Sequence, residues 1–389
     1  MINRLIESKL KELITKFPIV TLTGPRQSGK TTICKETFKN YEYLTLESLD
    51  HRQEAIEDPR GFLNKFKEGV ILDEIQRTPD LTSYIQEYVD SDTNKKRKYI
   101  LTGSQQFEVT NSINQSLAGR TALLRLLPFS YEEIYSEVKG IPSIAKLIYT
   151  GFYPRIHDQQ INPTDALSAY VSTYIERDVR SISNIKNMNS FERFLGLCAA
   201  NVGCLLDYTR LSNDVGVDQE TIKSWISVLE ASYICFTLKP HLTNYRKRLT
   251  KSPKLYFYDV GLASYLIGIR EESQLENHPL RGNLFENYVV ADLLKSFWHR
   301  GDYRNLFFFR DSSGNEVDIL FEQGAKVSLI EVKSGKTLSK EQFKGLEFYK
   351  KMKLGSVLNS YLVYGGENTE TKYENTIIPR SCINEIIPY

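Results

Sequence analysis

The spacing of apolar positions changes several times along the chain, and each change predicts an element. Leu5, Ile6, Leu10, Leu13 and Ile14 recur at helical spacing with Lys and Glu between them, an amphipathic helix over 2–16. Ile19-Val20-Thr21-Leu22 is then an unbroken β-branched and apolar run, read as a buried strand. A helix over 30–39, a short strand over 43–46 and a helical region over 50–67, broken at Pro59, follow. Val70-Ile71-Leu72 before Asp73-Glu74, and Tyr99-Ile100-Leu101 before Thr102-Gly103, read as two further buried strands. Continuous apolar runs of this length suit strands covered on both faces, so the first third predicts a parallel α/β sheet. Leu123–Leu127 adds one more β-like run.

The middle of the chain changes character. Residues 144–150 read as a helix ended by Gly151 and Pro154, and 164–180 as a helix with Leu167, Tyr170, Val171, Tyr174 and Ile175 on one face. Phe191, Phe194, Leu195, Leu197 and Cys198 mark another helix, 208–217 a helix and turn, and Asp218 the cap of a helix over 219–230. With strands at 233–238 and 254–258, this is the order of a winged helix-turn-helix. From 282 the pattern is again α/β: a helix over 282–294, then strands at 306–310, 316–321 and 327–333. The expected division is 1–135, 136–188, 189–278 and 279–389, and the expected class is α/β.

Chemistry enters at the end of the first strand. Gly24-Pro25-Arg26-Gln27-Ser28-Gly29-Lys30-Thr31 meets every fixed position of the phosphate-loop pattern, and Thr32 continues into the helix. Gly24 and Gly29 permit a turn closed to residues with a Cβ, and successive backbone N–H groups then face one anion. The pattern implies ATP and Mg²⁺: Lys30 at the β- and γ-phosphates, Thr31 on the metal. Asp73 and Glu74 at a strand's C-terminal end are the matching acidic pair, Asp73 for Mg²⁺ and Glu74 as the base for water. Ser104 and Gln105 are candidates for sensing the γ-phosphate between these two strands. Arg120 is a candidate charge-neutralising finger, acting in its own chain or in a neighbouring subunit of a homo-oligomer; a surface ion pair is the competing reading.

These stretches, with LLPFSYEE at 126–133, the Gly-x-Tyr-Pro of 151–154 and the Tyr-x-Glu-Arg-Asp-Val-Arg of 174–180, resemble a large prokaryotic group of AAA+-type P-loop ATPases. The resemblance covers nearly the whole chain. It implies an AAA+ core, a helical and winged-helix middle, and a restriction-endonuclease-like C-terminal domain long catalogued as of unknown function.

The C-terminal residues supply their own pattern. Asp318 lies on one strand, Glu331-Val332-Lys333 on the next, and Glu286 in the first turns of the preceding helix. This is the order of a PD-(D/E)xK site: carboxylates for Mg²⁺ and a lysine beside the water and phosphate. Between Glu230 and Asp259 there is no acidic residue, while Lys239, Arg246, Lys247, Arg248, Lys251 and Lys254 fall there, a wing suited to nucleic acid, with DNA expected. The 389 residues carry a formal charge of +2, so any nucleic-acid contact is local rather than global. Five scattered cysteines and the lack of an 18-residue apolar stretch predict reduced thiols, no membrane span and a cytoplasmic protein. The expected function is Mg-dependent ATP hydrolysis coupled to a DNA- or partner-handling domain. An ATP-gated nuclease and a non-catalytic nucleotide switch are the alternatives.

Overall fold

The structure is a computed structural model and describes residues 2–92, 97–104, 116–175, 188–241, 251–352 and 356–388. Gln105, Glu176, Arg177, Asp178, Arg180, Arg246, Lys247 and Arg248 lie outside the described residues. The chain forms two compact units. The first comprises Met1–Pro128 with Ala231–Tyr233 and Trp298–Asp302; the second comprises Phe129–Glu230, Ile234–Phe297 and Tyr303–Tyr389.

The first unit is built on five parallel strands, β1 (Ile19–Thr23), β2 (Glu42–Thr45), β3 (Gly69–Asp73), β4 (Lys98–Gly103) and β5 (Thr121–Arg125), in the order β2-β3-β4-β1-β5. All five residues of β1 and of β3 are buried. Adjacent residues of β1 serve opposite layers, as alternation along a strand requires. Ile19 packs with Phe62, Leu72, Leu81 and Ile85, whereas Val20 packs with Ile6, Leu10, Ile14 and Ile33. The helices are α1 (Ile6–Lys16), α2 (Lys30–Thr37), α3 (Leu49–Glu57), α4 (Pro59–Asn64) and α5 (Leu81–Ser91). Pro59 does more than break a helix. It occupies the first turn of α4, where no amide is needed, and the Asp58 carboxylate caps that turn by accepting from Gly61 N–H at 2.9 Å. Helix α5 was not among the expected elements.

The second unit opens with the short helix Tyr131–Tyr135, followed by α6 (Ile144–Thr150) and α7 (Pro163–Tyr170), the latter continued by a π turn over Val171–Ile175. Helices α8 (Met188–Ala200), α9 (Tyr208–Val215) and α10 (Gln219–Ala231) occupy the expected places, and Asp218 caps α10 by accepting from Thr221 N–H at 2.8 Å. The hairpin after them differs from the expectation. Its strands, β6 (Cys235–Pro240) and β7 (Lys254–Phe257), form one edge of an eight-stranded sheet. The other strands are β8 (Leu306–Arg310), β9 (Glu316–Gln323), β10 (Lys326–Lys333), β11 (Ser356–Tyr364), β12 (Glu370–Lys372) and β13 (Asn375–Pro379), and the order is β12-β13-β11-β10-β9-β8-β6-β7. Strand β6 joins β8 in parallel through Lys239 and Pro240 opposite Phe307 and Phe308.

Every residue of β7 is buried, Lys254 included. The strand is therefore no solvated wing, and Lys254 leaves the expected phosphate-binding set. Tyr233 takes φ +56°, so the first strand starts at Cys235 rather than at Tyr233. Helix α11 (Arg281–His299) is pinned to β7 by Asn287, whose amide accepts from Phe257 N–H at 2.7 Å and donates to Phe257 O at 3.1 Å. Helix α12 (Lys344–Met352) closes the set. No helix among the described residues is long and apolar enough to cross a membrane.

Candidate functional site

Because β1, β3 and β4 run parallel and in register, their C-terminal ends share one edge of the first sheet, with Thr23 opposite Gly103. The loop after β1 begins at that edge. Gly24 admits no side chain, since a Cβ there would sit 2.0 Å from the Leu126 carbonyl oxygen. Gln27 and Gly29 take φ of +61° and +91°, which turns the chain into α2. Lys30 is buried, and its ammonium donates back to the Gly24 and Pro25 carbonyls at 2.9 and 2.8 Å. Burial lowers its pKa, against the pull of Glu74 and Asp73. Arg26 lies 3.8 Å from Glu47, and Thr32 is exposed on α2. The Ser28 hydroxyl is buried with no hydrogen-bond partner.

Three hydroxyls converge on Asp73. Thr31 and Tyr43 donate to its Oδ2 at 2.9 and 2.8 Å, and Thr102 donates to Oδ1. Burial, and then Asp73, raise the pKa of the Tyr43 phenol, which therefore stays a donor. Lys35 Nζ lies 3.5 Å from the centre of the Tyr43 ring. Glu74 follows β3 in the left-handed region at φ +60°, a conformation that costs about 1 kcal/mol or more in a non-glycine residue. That turn directs its carboxylate to Ser104 Oγ at 3.1 Å and to the Gln76 amide, which also donates to Ser104 at 3.3 Å. Thus Lys30, Thr31, Asp73, Glu74 and Ser104 share one sheet edge.

Arg120 stands elsewhere. It precedes β5, whose Thr121 pairs with Ile19 and whose Arg125 pairs with Thr23, so it lies at the opposite edge from the loop of its own chain. Its guanidinium grips Asp90 of α5 with two bonds, at 2.6 and 2.7 Å.

In the second unit the four expected C-terminal residues meet, with company. Lys333 Nζ donates to Glu331 Oε1 at 2.6 Å and lies 3.6 Å from Asp318 Oδ2, which also accepts from Val332 N–H at 2.8 Å. Glu286 Oε1 accepts from Lys254 Nζ at 3.0 Å and from the Tyr256 hydroxyl at 2.6 Å. Lys254 also bonds Glu316 Oε1 at 2.5 Å. Burial, and next the charge of Asp318, push the carboxyl groups of Glu286 and Glu331 upward.

Residues 16–135 match the family model described as an AAA domain. Over these residues the first unit is similar to AAA domains. Residues 141–273 and 281–383 match two models described as domains of unknown function (DUF8612 and DUF4143). Uncharacterized proteins of Mycobacterium bovis and Mycobacterium tuberculosis are each 26% identical over 335 residues, 85% of this chain and 74% of theirs. An uncharacterized protein of Haemophilus influenzae is 22% identical, over 76% of this chain and 79% of its own. Among solved structures, the Walker-type ATPase of Pyrococcus abyssi aligns at 15% identity over 67% of this chain and 94% of its own, with a TM-score of 0.45.

Sequence reasoning missed several residues around the loop after β1. Arg4, ahead of α1, is buried and donates to Ser28 O at 2.8 Å and Leu127 O at 2.7 Å, bracing the loop from beneath. Its only signal was a cation beside the apolar face of the first helix. Tyr43 and Thr102 carried a clearer one: both are polar groups near the ends of strands that flank β3.

Proposed function

We propose that the chain binds ATP with Mg²⁺ in its AAA domain, hydrolyses it, and couples the nucleotide state to a DNA- or partner-handling second unit. The observation that carries this reading is the convergence of Lys30, Thr31, Asp73, Glu74 and Ser104 at one edge of a parallel sheet. The donor set fits the implied ligands. The Thr31 hydroxyl and Asp73 carboxylate are hard oxygen donors suited to Mg²⁺. The Lys30 ammonium rests on backbone carbonyls, and the Ser28 hydroxyl is unpartnered, so both have bonds to offer phosphate oxygens. Mg²⁺, when bound, supplies positive charge that offsets the charge building on the β- and γ-phosphates.

The chain's own residues do the rest. Lys30 leaves the carbonyls of Gly24 and Pro25 and pairs with phosphate. The loop amides and the N-terminus of α2 hold the phosphate oxygens in place. Glu74 takes a proton from water as the water oxygen bonds to the γ-phosphorus and the bond to the ADP oxygen breaks. Ser104, already bonded to Glu74, fixes the orientation of that carboxylate.

A role for Arg120 at the nucleotide requires a second copy of the chain, because its own loop lies at the other sheet edge. Of the basic stretch in the second unit, Lys239 and Lys251 are exposed and remain candidates for nucleic acid. The five free cysteines support a cytoplasmic setting. Phosphate release from Mg-ATP by the full chain and by Lys30→Ala, with and without DNA, tests the proposal. Turnover that is lost in Lys30→Ala supports it, and equal turnover in the two chains refutes it.

A further inference from the structure

The restriction-endonuclease-like reading of the second unit implies a divalent cation among Glu286, Asp318 and Glu331. The residues as they stand do not fit one. Among the described residues no group of three or more His, Cys, Asp or Glu side chains is disposed to hold a metal ion. The carboxylates face ammonium groups instead: Lys333 takes Glu331 Oε1 and approaches Asp318, while Lys254 takes Glu286 Oε1 and Glu316 Oε1.

We infer that Lys254 is the resident counter-cation of this cluster and competes with a divalent cation for its carboxylates. A buried ammonium is costly unless it is paired, and Lys254 is only 3% exposed. Its two carboxylate partners and the Phe308 ring, 5.6 Å from Nζ, supply the compensation. Lys254 is thus a fixed positive charge.

Its origin matters as much as its charge. Glu286 comes from α11, Asp318 from β9, and Glu331 and Lys333 from β10, whereas Lys254 comes from β7, at the far edge of the same sheet order. The hairpin edge therefore governs whether Glu286 is free. With Lys254 in place, the four carboxyl groups of Glu286, Glu316, Asp318 and Glu331 face three cations, Lys254, Lys333 and Arg310, the last 3.3 Å from Glu316 Oε2. With Lys254 withdrawn, the excess negative charge doubles and matches a divalent ion. One acceptor is already free, since Glu331 Oε2 is buried without a partner. The second unit then carries a cation site that its own β7 lysine keeps closed.

Mn²⁺ binding to the full chain, counted by electron paramagnetic resonance without nucleotide in an Asp73→Asn background, tests this. With Lys254 intact, adding Asp318→Asn leaves the number of bound ions unchanged. Lys254→Met adds one bound ion, tightening Mn²⁺ binding by roughly tenfold or more, and Asp318→Asn then removes it. The inference is overturned if the chain with Lys254 holds an ion that Asp318→Asn removes. It is equally overturned if Lys254→Met melts normally by circular dichroism and gains no ion. Should Lys254→Met fail to fold, the Asp318→Asn comparison alone decides.

Discussion

The Tyr233 hydroxyl lies 2.8 Å from Thr23 Oγ1, at the last residue of β1 before the phosphate loop. The two residues are 210 positions apart, Tyr233 is fully buried, and both belong to the first unit. The left-handed backbone at Tyr233 is what lets a tyrosine between α10 and β6 take this place. Thr23 keeps a second, longer bond to Leu124 O at 3.3 Å. Tyr233→Phe is therefore expected to cost about 1 kcal/mol of stability, read from the midpoint of urea unfolding. An unchanged midpoint would show that the bond contributes nothing.

Arg4 should matter more than its place near the chain's start suggests. Replacing it with Met strips charged donors from the Ser28 and Leu127 carbonyls, both buried contacts. The expected loss is about 3 kcal/mol, with weaker ATP binding because Ser28 belongs to the loop. Urea unfolding and a fluorescent-nucleotide titration read the two effects. Wild-type values in both would exclude a bracing role.

Asp292 gives the second unit a pH dependence of predictable sign. Burial raises its pKa from 3.8 to about 6, against the opposing Tyr131 N–H, which donates to Oδ1 at 2.6 Å, and Lys295. The folded state thus holds a proton that the unfolded chain releases near pH 4. Its stabilising effect is full at low pH and is lost as pH rises through about 6. The shift corresponds to about 3 kcal/mol. Asp292→Asn keeps the acceptor and abolishes the titration, so the stability of wild type relative to this variant should fall between pH 4 and 6. A flat difference across that window would contradict the assignment.

Ser104 distinguishes positioning from binding. Ser104→Ala removes one of the two partners that hold Glu74 Oε2, leaving Gln76. The expected result is a kcat reduced roughly tenfold with little change in KM. A change confined to KM would instead place Ser104 among the binding contacts.

The outcome follows how local each signal is. Ile19–Thr23 and Gly69–Asp73 were legible because five consecutive buried residues leave an unbroken apolar run. The loop from Gly24 to Thr31 was legible because its backbone demands specific residues at fixed offsets. Helix α5 was missed although Leu81, Thr82 and Ile85 face the core, since the Thr and Ser interspersed there blur its period. Strands β11 and β13 were also unread; Ser356–Asn359, all exposed or half-buried, give the first of them a weak start. Tyr233 and Lys254 could not be assigned from sequence. Each gains its role from a partner brought close only by the folded chain, Thr23 for one and Glu286 for the other. Reading Lys254 as a solvated wing residue followed from local charge, and strand pairing overrode it.

The central claim is that Glu74, turned out of the end of β3, activates water for ATP hydrolysis. Phosphate release from Mg-ATP by wild type and by Glu74→Gln, measured alongside the ATP each retains, tests it most directly. Gln keeps the shape and loses the base. Glu74→Gln is expected to retain ATP at wild-type affinity while release falls roughly 100-fold or more. Release by Glu74→Gln at the wild-type rate would contradict it.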